Sequence, residues 1–383
     1  MKFFVDNQLL KNRLEEIKKI MPENPIIPIE EYVMFIYKEN TLTIKANGRA
    51  MELMTDLVVE GDQEAFSTCV RIDVLVKTIS LFKNKDTFFE FSTDGQLHTL
   101  EMKSGKGSAF KLSCEDPISY PTMKVGECSS KLRVDAAYMK TAFATAFSFV
   151  ETNDNSLMMM PGSAGINIDV VEGGQYIRVT SASKVSGCRI QFYGEDIVTS
   201  WEPVLIPALF GEIVAKTIAD METVTMQHDG RVLHIPGVLF DIKVLLLETK
   251  FPNMNSIFAQ QNTCVSASID RDDLVRAIKR LRNYNDKNRD LFMDIKEDHI
   301  YMSASSALYG NEGEEKLFVD MPKAMPIGMN IHAVINVLSK IDSPNIRFYY
   351  HSPKIAFFVT PDIDDSSVYK SQFIIMPFFV LGK

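Results

Sequence analysis

Apolar residues alternate with polar ones over most of this 383-residue chain, the mark of half-buried β-strands. In six windows the spacing changes to three and four residues, which predicts helices over 7–20, 71–82, 136–150, 208–220, 271–284 and 332–341. In the first window Leu9, Leu10, Leu14, Ile17 and Ile20 form one apolar face, and Asn7 is placed to cap its start. The run Glu-Thr-Asn-Asp-Asn-Ser at 151–156 reads as a polar loop, and Asp94-Gly95 as a tight hairpin turn. Strand, helix, strands, then strand, helix, strands again: that order recurs three times. Three strands run into a proline preceded by an aromatic or apolar residue, at Tyr120-Pro121, Phe251-Pro252 and Met376-Pro377, with intervals of 131 and 125. Proline has no N–H for a sheet ladder, so each pair stops its strand. One such stop is common, but three at near-equal spacing indicate a unit copied three times. The expectation is an α+β chain of three domains, 1–125, 126–258 and 259–383, each with two helices on antiparallel sheets.

Composition narrows the class without naming a function. The chain is 46% hydrophobic and 24% charged, ordinary for a globular protein with sizeable cores. Cys69, Cys114, Cys128, Cys188 and Cys264 are odd in number and contain no C-x-x-C pair. That usage fits a reducing, cytoplasmic compartment and gives neither a disulfide framework nor a zinc site. The N-terminal segment lacks a signal-peptide pattern, and no apolar run reaches the ~18 residues of a membrane span.

Candidate chemistry is sparse. The run 104–108, Ser-Gly-Lys-Gly-Ser, misses the spacing of a phosphate loop and reads as a hairpin turn. The six histidines show no metal-ligand spacing, and Asp362, Asp364 and Asp365 lack the glycine and glutamate of a calcium loop. The expectation is therefore no enzyme, no metal and no cofactor. Charge says more. Net charge is −9, yet segments 7–20, 71–83, 135–150, 207–220, 270–284 and 331–342 carry +2, +2, 0, −1, +2 and 0. The helices thus hold +5 and the remainder −14, a polarity that suits holding a polyanion on the helices and repelling it elsewhere. No device for reading base edges is present, so any such contact is to phosphates. The C-terminal run 374–380 is very apolar and rich in soft, adaptable side chains, which fits a peptide groove as well as a buried strand.

Several segments carry a resemblance: the opening MKFFVDNQLLKNRLEEI with NPIIPI, SGKGSAFKLSCEDPISYP, KVLLLETKFPNM, NDKNRD after a helix, and FIIMPFF near the end. In this order and spacing the chain resembles the bacterial DNA polymerase III β subunit, the sliding clamp. The resemblance implies a head-to-tail homodimer of three-domain chains, closed into a ring whose helices line a central hole around double-stranded DNA. It also implies a DNA polymerase and an ATP-dependent clamp loader as partners. DNA contacts would fall on Lys11, Arg13, Lys77, Lys140, Arg276, Lys279, Arg280 and Arg282. Short motifs of a glutamine plus hydrophobic residues would bind a pocket of Met158, Ser181, Ser183, Val185, Pro252, Ile257, Ile374, Met376, Pro377 and Phe378. Phe110 and Leu112 would meet Tyr284 across the dimer interface.

The chain departs from the family pattern in places. Ser181-Ala182-Ser183-Lys184-Val185 replaces a glycine-histidine-arginine signature, Asn24 stands where a basic residue is usual, and Val380 to Lys383 extend the end. These mark a divergent member. A rival reading, a three-domain β-rich binding or structural protein without nucleic acid, accommodates the acidic net charge but not the positive helices.

Overall fold

The computed structural model describes residues 1–383 except 23, 24, 26, 49, 83–87, 94–98, 105, 106, 129, 172, 173, 175, 195, 198–200, 219, 220, 238, 286–288, 307, 364–367 and 379–383; side chains at 196, 197, 212 and 215–217 are also outside it. The Asp94-Gly95 turn, Gly105-Lys106, Asn24, Asp364-Asp365, the 286–288 part of NDKNRD and the Val380–Lys383 extension lie outside the described residues. So do Lys83 and Asp220, and the side chains of Glu212 and Lys216.

Eight helices are present among the described residues: α1 (Asn7–Lys18), α2 (Ile72–Ser80), α3 (Ala136–Phe147), α4 (Asp154–Met159), α5 (Ala208–Thr217), α6 (Met254–Ala259), α7 (Arg271–Arg282) and α8 (Ile331–Leu338). Six match the periodic windows. The other two, α4 and α6, do not. The expected loop at 151–156 instead starts α4, because the Asn153 side chain accepts from the Ser156 N–H at 3.2 Å. Asn253 caps α6 in the same way through Ser256. Nor is Asn7 the cap of α1. Asp6 accepts from the Leu9 N–H at 2.7 Å, while Asn7 is buried and donates to the Phe82 carbonyl. Asp135 and Asp270 cap α3 and α7 likewise, so each repeat opens with a strand whose last residue is the aspartate that starts its helix.

The chain forms two compact units. The first comprises Met1–Arg133 with Lys216–Leu246. Its sheet runs through strands Thr223–His228, Val232–Ile235, Asp241–Leu245, Met51–Val58, Thr41–Gly48, Tyr32–Lys38 and Phe66–Arg71, and continues to Ser108–Glu115, Thr99–Ser104, Phe88–Ser92 and Lys2–Asp6. Helices α1 and α2 pack together, and Phe3, Tyr37 and Phe91 stack at 5.2 Å in the core. The second unit comprises Val134–Ala215 with Leu247–Lys383. Its eight-stranded sheet has the order Val204–Pro207, Gly165–Val170, Tyr176–Ala182, Ser186–Tyr193, Tyr369–Ile375, Phe357–Pro361, Asn345–Tyr350, Val265–Asp270. A four-stranded sheet, Asn311–Phe318, His299–Ser306, Asp290–Ile295 and Met325–Asn330, completes it.

Two pairings join strands far apart in sequence. Asp241–Leu245 lies antiparallel to Met51–Val58, and Tyr369–Ile375 lies antiparallel to Ser186–Tyr193. In both, a strand late in one expected repeat extends a sheet of the repeat before it. The last strand ends at Ile375, just before Met376-Pro377, as the proline demands.

Candidate nucleic-acid and partner interfaces

The helical cations are not equivalent. On α7, Leu274, Ala277, Ile278 and Leu281 face the core, which turns Arg276, Lys279 and Arg280 to solvent. Arg280 grips Glu315 with two bonds, 2.5 and 2.8 Å, and this guanidinium holds the Glu315 carboxyl below its usual range. Arg276 pairs with Asp273, and Lys11 lies 3.9 Å from Glu15. Arg13 stacks on Phe240 at 5.2 Å. Among the described residues Lys77, Lys140, Lys279 and Arg282 form no ion pair, and all four are exposed. Ion pairs at Arg276 and Arg280 weaken them as phosphate contacts relative to the equal weight that sequence assigns them.

The expected peptide pocket is built in the second unit around a buried cluster of Ala182, Met254, Phe258, Ala356, Phe358 and Ile374. Phe251, Ile257 and Met376 pack against its rim. The Met376 N–H donates to the Val185 carbonyl at 2.9 Å, which ties the chain after the last strand to the 183–185 turn. That turn is fixed in its turn by Glu151, a residue sequence reading missed. Its buried carboxylate accepts from the N–H groups of Thr152, Asn153 and Lys184 at 3.0, 2.9 and 2.9 Å, so one side chain holds the start of α4 and the turn together. Close approach is required nearby as well: a Cβ on Gly162 would lie 2.2 Å from the Lys250 carbonyl oxygen, just before Phe251-Pro252.

The expected pocket residues divide into three groups. Ile257, Met376, Pro252 and Val185 are accessible around the cluster rim, with Ser183 forming the turn through bonds to Ser186. Met158 stands on α4, 82% exposed. Ser181 and Ile374, by contrast, are fully buried and present no surface. The Ser181 hydroxyl donates to the Ala146 carbonyl at 2.7 Å, so this side chain fastens α3 to the sheet. Phe378 departs furthest from expectation. It does not face a common groove with Met376: its N–H and carbonyl bond to Gly328, and its ring packs on Gly328 and edge-on to Phe292. Pro377 is the half-buried link between these two anchorages.

At the expected dimer contact, Phe110 is half-buried and meets Phe82 edge-on at 6.0 Å, beside a shallow apolar groove with Lys77, Thr78 and Leu81. Tyr284 is 43% exposed and packs on Gly313. Leu112 is different: at 5% exposure it belongs to the core, not to a surface. Among the described residues no group of three His, Cys, Asp or Glu side chains is placed to hold a metal, and no helix is long and apolar enough to cross a membrane.

Solved structures define the fold class. The chain superposes on the sliding clamp of Bartonella birtlesii bound to griselimycin with a TM-score of 0.90 at 15% identity, covering 99% of this chain and 100% of that one. The Caulobacter crescentus clamp gives 0.89 at 17% and the Pseudomonas aeruginosa DNA polymerase III β subunit 0.89 at 18%, with the same coverage. The fold is that of a DNA sliding clamp. Among curated sequences, the β sliding clamp of Vibrio cholerae is 21% identical over 386 residues, 98% of this chain and 99% of that protein. Residues 1–124 match the N-terminal domain of the DNA polymerase III β subunit and residues 256–377 match its C-terminal domain. The chain belongs to the DNA polymerase III β subunit family, the β sliding clamps of DNA replication.

Proposed function

We propose that two copies of this chain close head to tail into a ring around double-stranded DNA and tether a DNA polymerase to it, without a catalytic step. The observation that carries this reading is the way sheets propagate. Strand 241–245 pairs with 51–58, and strand 369–375 pairs with 186–193. Their counterparts by position in the repeat are strand 108–115 and strand 311–318. The latter is the outermost strand of its sheet, and the former touches strand 66–71 only through Cys114 and Glu115, leaving 108–113 with a free edge. Continuing the same rule between two molecules satisfies both edges and closes the assembly. This logic supports three domains, 1–125, 126–258 and 259–383. An ATP-dependent loader would then open one junction, in a cytoplasmic setting.

DNA is held by topology and by phosphate contacts that ignore sequence. Protein loaded on nicked circular DNA should remain bound through gel filtration and be lost once the circle is cut. Replacing Lys77, Lys140 and Lys279 together by alanine should reduce the salt slope of DNA binding by about 0.9 per contact, roughly 2–3 in all. Replacing Arg276 and Arg280 should change it less, since Asp273 and Glu315 already neutralise them. Equal retention on linear DNA would overturn the clamp reading.

The groove around Val185, Pro252, Ile257 and Met376 would take short partner motifs of a glutamine and hydrophobic residues. Met376→Ala should weaken such a peptide about tenfold, a loss of about 1.4 kcal/mol, with little change in Tm. Phe378→Ala should instead lower Tm, because its ring fills the space above Gly328. Unchanged peptide affinity for Met376→Ala would place the groove elsewhere.

A further inference from the structure

The eight-stranded sheet of the second unit has two unlike faces. Cys188 and Phe373 point toward α3 and the segment after it, as the contacts of Ser181 with Ala146 and of Phe373 with Phe149 establish. Arg189, Gln191, Lys370 and Gln372 alternate to the other face. There α6 covers one end of the sheet with Met254 and Phe258, and beyond it lies an open cleft of about 610 Å³. Three cations line this cleft, Arg189, Arg347 and Lys370, against one carboxylate, Asp362. Asp362 is committed to Arg347 at 2.8 Å and to the Ser268 hydroxyl at 2.6 Å. On the adjoining strands Arg178 and Asp169 neutralise each other.

Arg189 is the unusual member. Its guanidinium lies 4.1 Å from the centre of the Phe258 ring, and one terminal nitrogen donates to Asn255 at 2.7 Å. Its Nε is buried with no hydrogen-bond partner, and among the described residues it has no carboxylate partner. Burial, reinforced by nearby Arg178, pushes its pKa down to about 10. A half-buried, pre-oriented cation without a counter-ion is costly by itself and well suited to an incoming carboxylate.

We propose that this cleft binds an acidic segment of a partner protein, with carboxylates seated at Arg189 and at the Arg347–Lys370 side. Its position on the face opposite α3 sets it apart from the helical cations assigned to DNA. Arg189 pairs in register with Gln372 and Arg347 with Thr360, so three strand spacings, about 14 Å, separate the arginines. One carboxylate cannot serve both. Two acidic residues about four positions apart on an extended segment can. Amide side chains of Gln191, Gln261 and Gln372 remain to meet the backbone between them.

The test uses the full chain and a fluorescein-labelled octaglutamate peptide followed by anisotropy at low salt. A glycine-serine octapeptide, inorganic phosphate and a short DNA duplex serve as unlabelled competitors. Octaglutamate contains no apolar anchor, so the result is independent of the Met376 groove and of the ring. Saturable binding is expected, displaced by none of the competitors and weakened about tenfold or more by Arg189→Ala and by Lys370→Glu. Lys370 is exposed, so its variant keeps the fold while reversing the charge. Ile257→Ala should leave the affinity unchanged. Absence of saturable binding, insensitivity to Lys370→Glu, or displacement by phosphate or by DNA would each overturn the proposal.

Discussion

Glu52→Ala is expected to cost about 3–5 kcal/mol of stability, enough to remove much of what holds a domain folded. Glu52 is 1% exposed, and its carboxylate is shared by two lysines, Lys45 at 2.9 Å and Lys243 at 2.7 Å. It also accepts from the Met123 N–H at 2.8 Å, while Lys45 donates to the Thr122 hydroxyl at 2.8 Å. Truncation leaves two ammonium groups in a poorly solvated place with no counter-charge, which costs far more than the lost attraction. The network sits where strand 51–58 receives strand 241–245, and Glu52 and Lys243 are direct cross-strand neighbours. Denaturant unfolding measures the effect. The triple variant Lys45→Met, Glu52→Leu, Lys243→Met should recover most of the loss, because an apolar replacement leaves nothing unpaired. A loss below about 1 kcal/mol for Glu52→Ala would mean that water reaches the lysines.

This network was not legible in the sequence, whereas the helices around it were. Periodicity finds α1, α2, α3, α5, α7 and α8 because each buries one stripe, and a stripe is a local property of the chain. The triad needs three residues separated by up to 191 positions, and only the sheet register brings them together. The short helices α4 and α6 had a local signal of another kind. Asn153-Asp154-Asn155-Ser156 and Asn253-Met254-Asn255-Ser256 both place an asparagine three residues before a serine whose N–H it caps. At one and a half turns, neither helix is long enough to show a period. Likewise Asp6, Asp135 and Asp270 each stand between a strand and a helix, a threefold mark at least as specific as the three prolines.

The site was legible only in part, for the same reason. Ile257, Met376 and Val185 stand around the apolar cluster as the alternation and the resemblance imply. Alternation fails one residue beyond the sheet. After Ile375 the chain no longer follows a ladder, and Pro377 turns Phe378 toward a strand fifty residues earlier. Only glycine at 328 lets that ring rest on the backbone, since a Cβ there would sit 2.2 Å from a ring carbon. Ser181 illustrates the opposite error. A serine reads as surface by composition, yet here it is wholly buried because its hydroxyl finds the carbonyl that α3 leaves free at its C-terminal turn.

Phe110→Asp is expected to weaken the proposed homodimer at least ~100-fold, about 2.7 kcal/mol, while leaving the monomer folded. Leu112→Asp cannot serve the same purpose. Leu112 is core, so a carboxylate there would unfold the first unit whether or not a dimer exists. Phe110 is half-buried beside a groove of about 330 Å³ that it shares with Lys77, Thr78, Leu81 and Phe82. Leu81, at its margin, is 80% exposed. Around the free edge at 311–318, Tyr284, Leu308, Tyr309 and Phe318 are 43, 67, 73 and 75% exposed. Aromatic side chains clustered at an open strand edge are what an interface core requires, and what an isolated molecule would pay to keep in water. Backbone pairing of strands 108–113 and 311–318 would fix the register, and the aromatics would supply most of the affinity. Tyr284→Asp should therefore reproduce the loss from the other side of the junction, and the two changes together should cost less than their sum, since both remove one contact. Sedimentation at micromolar protein measures the dissociation, with thermal melting as the check on folding. If both single variants sediment as the parent does, the two edges do not meet and the ring is closed by another surface.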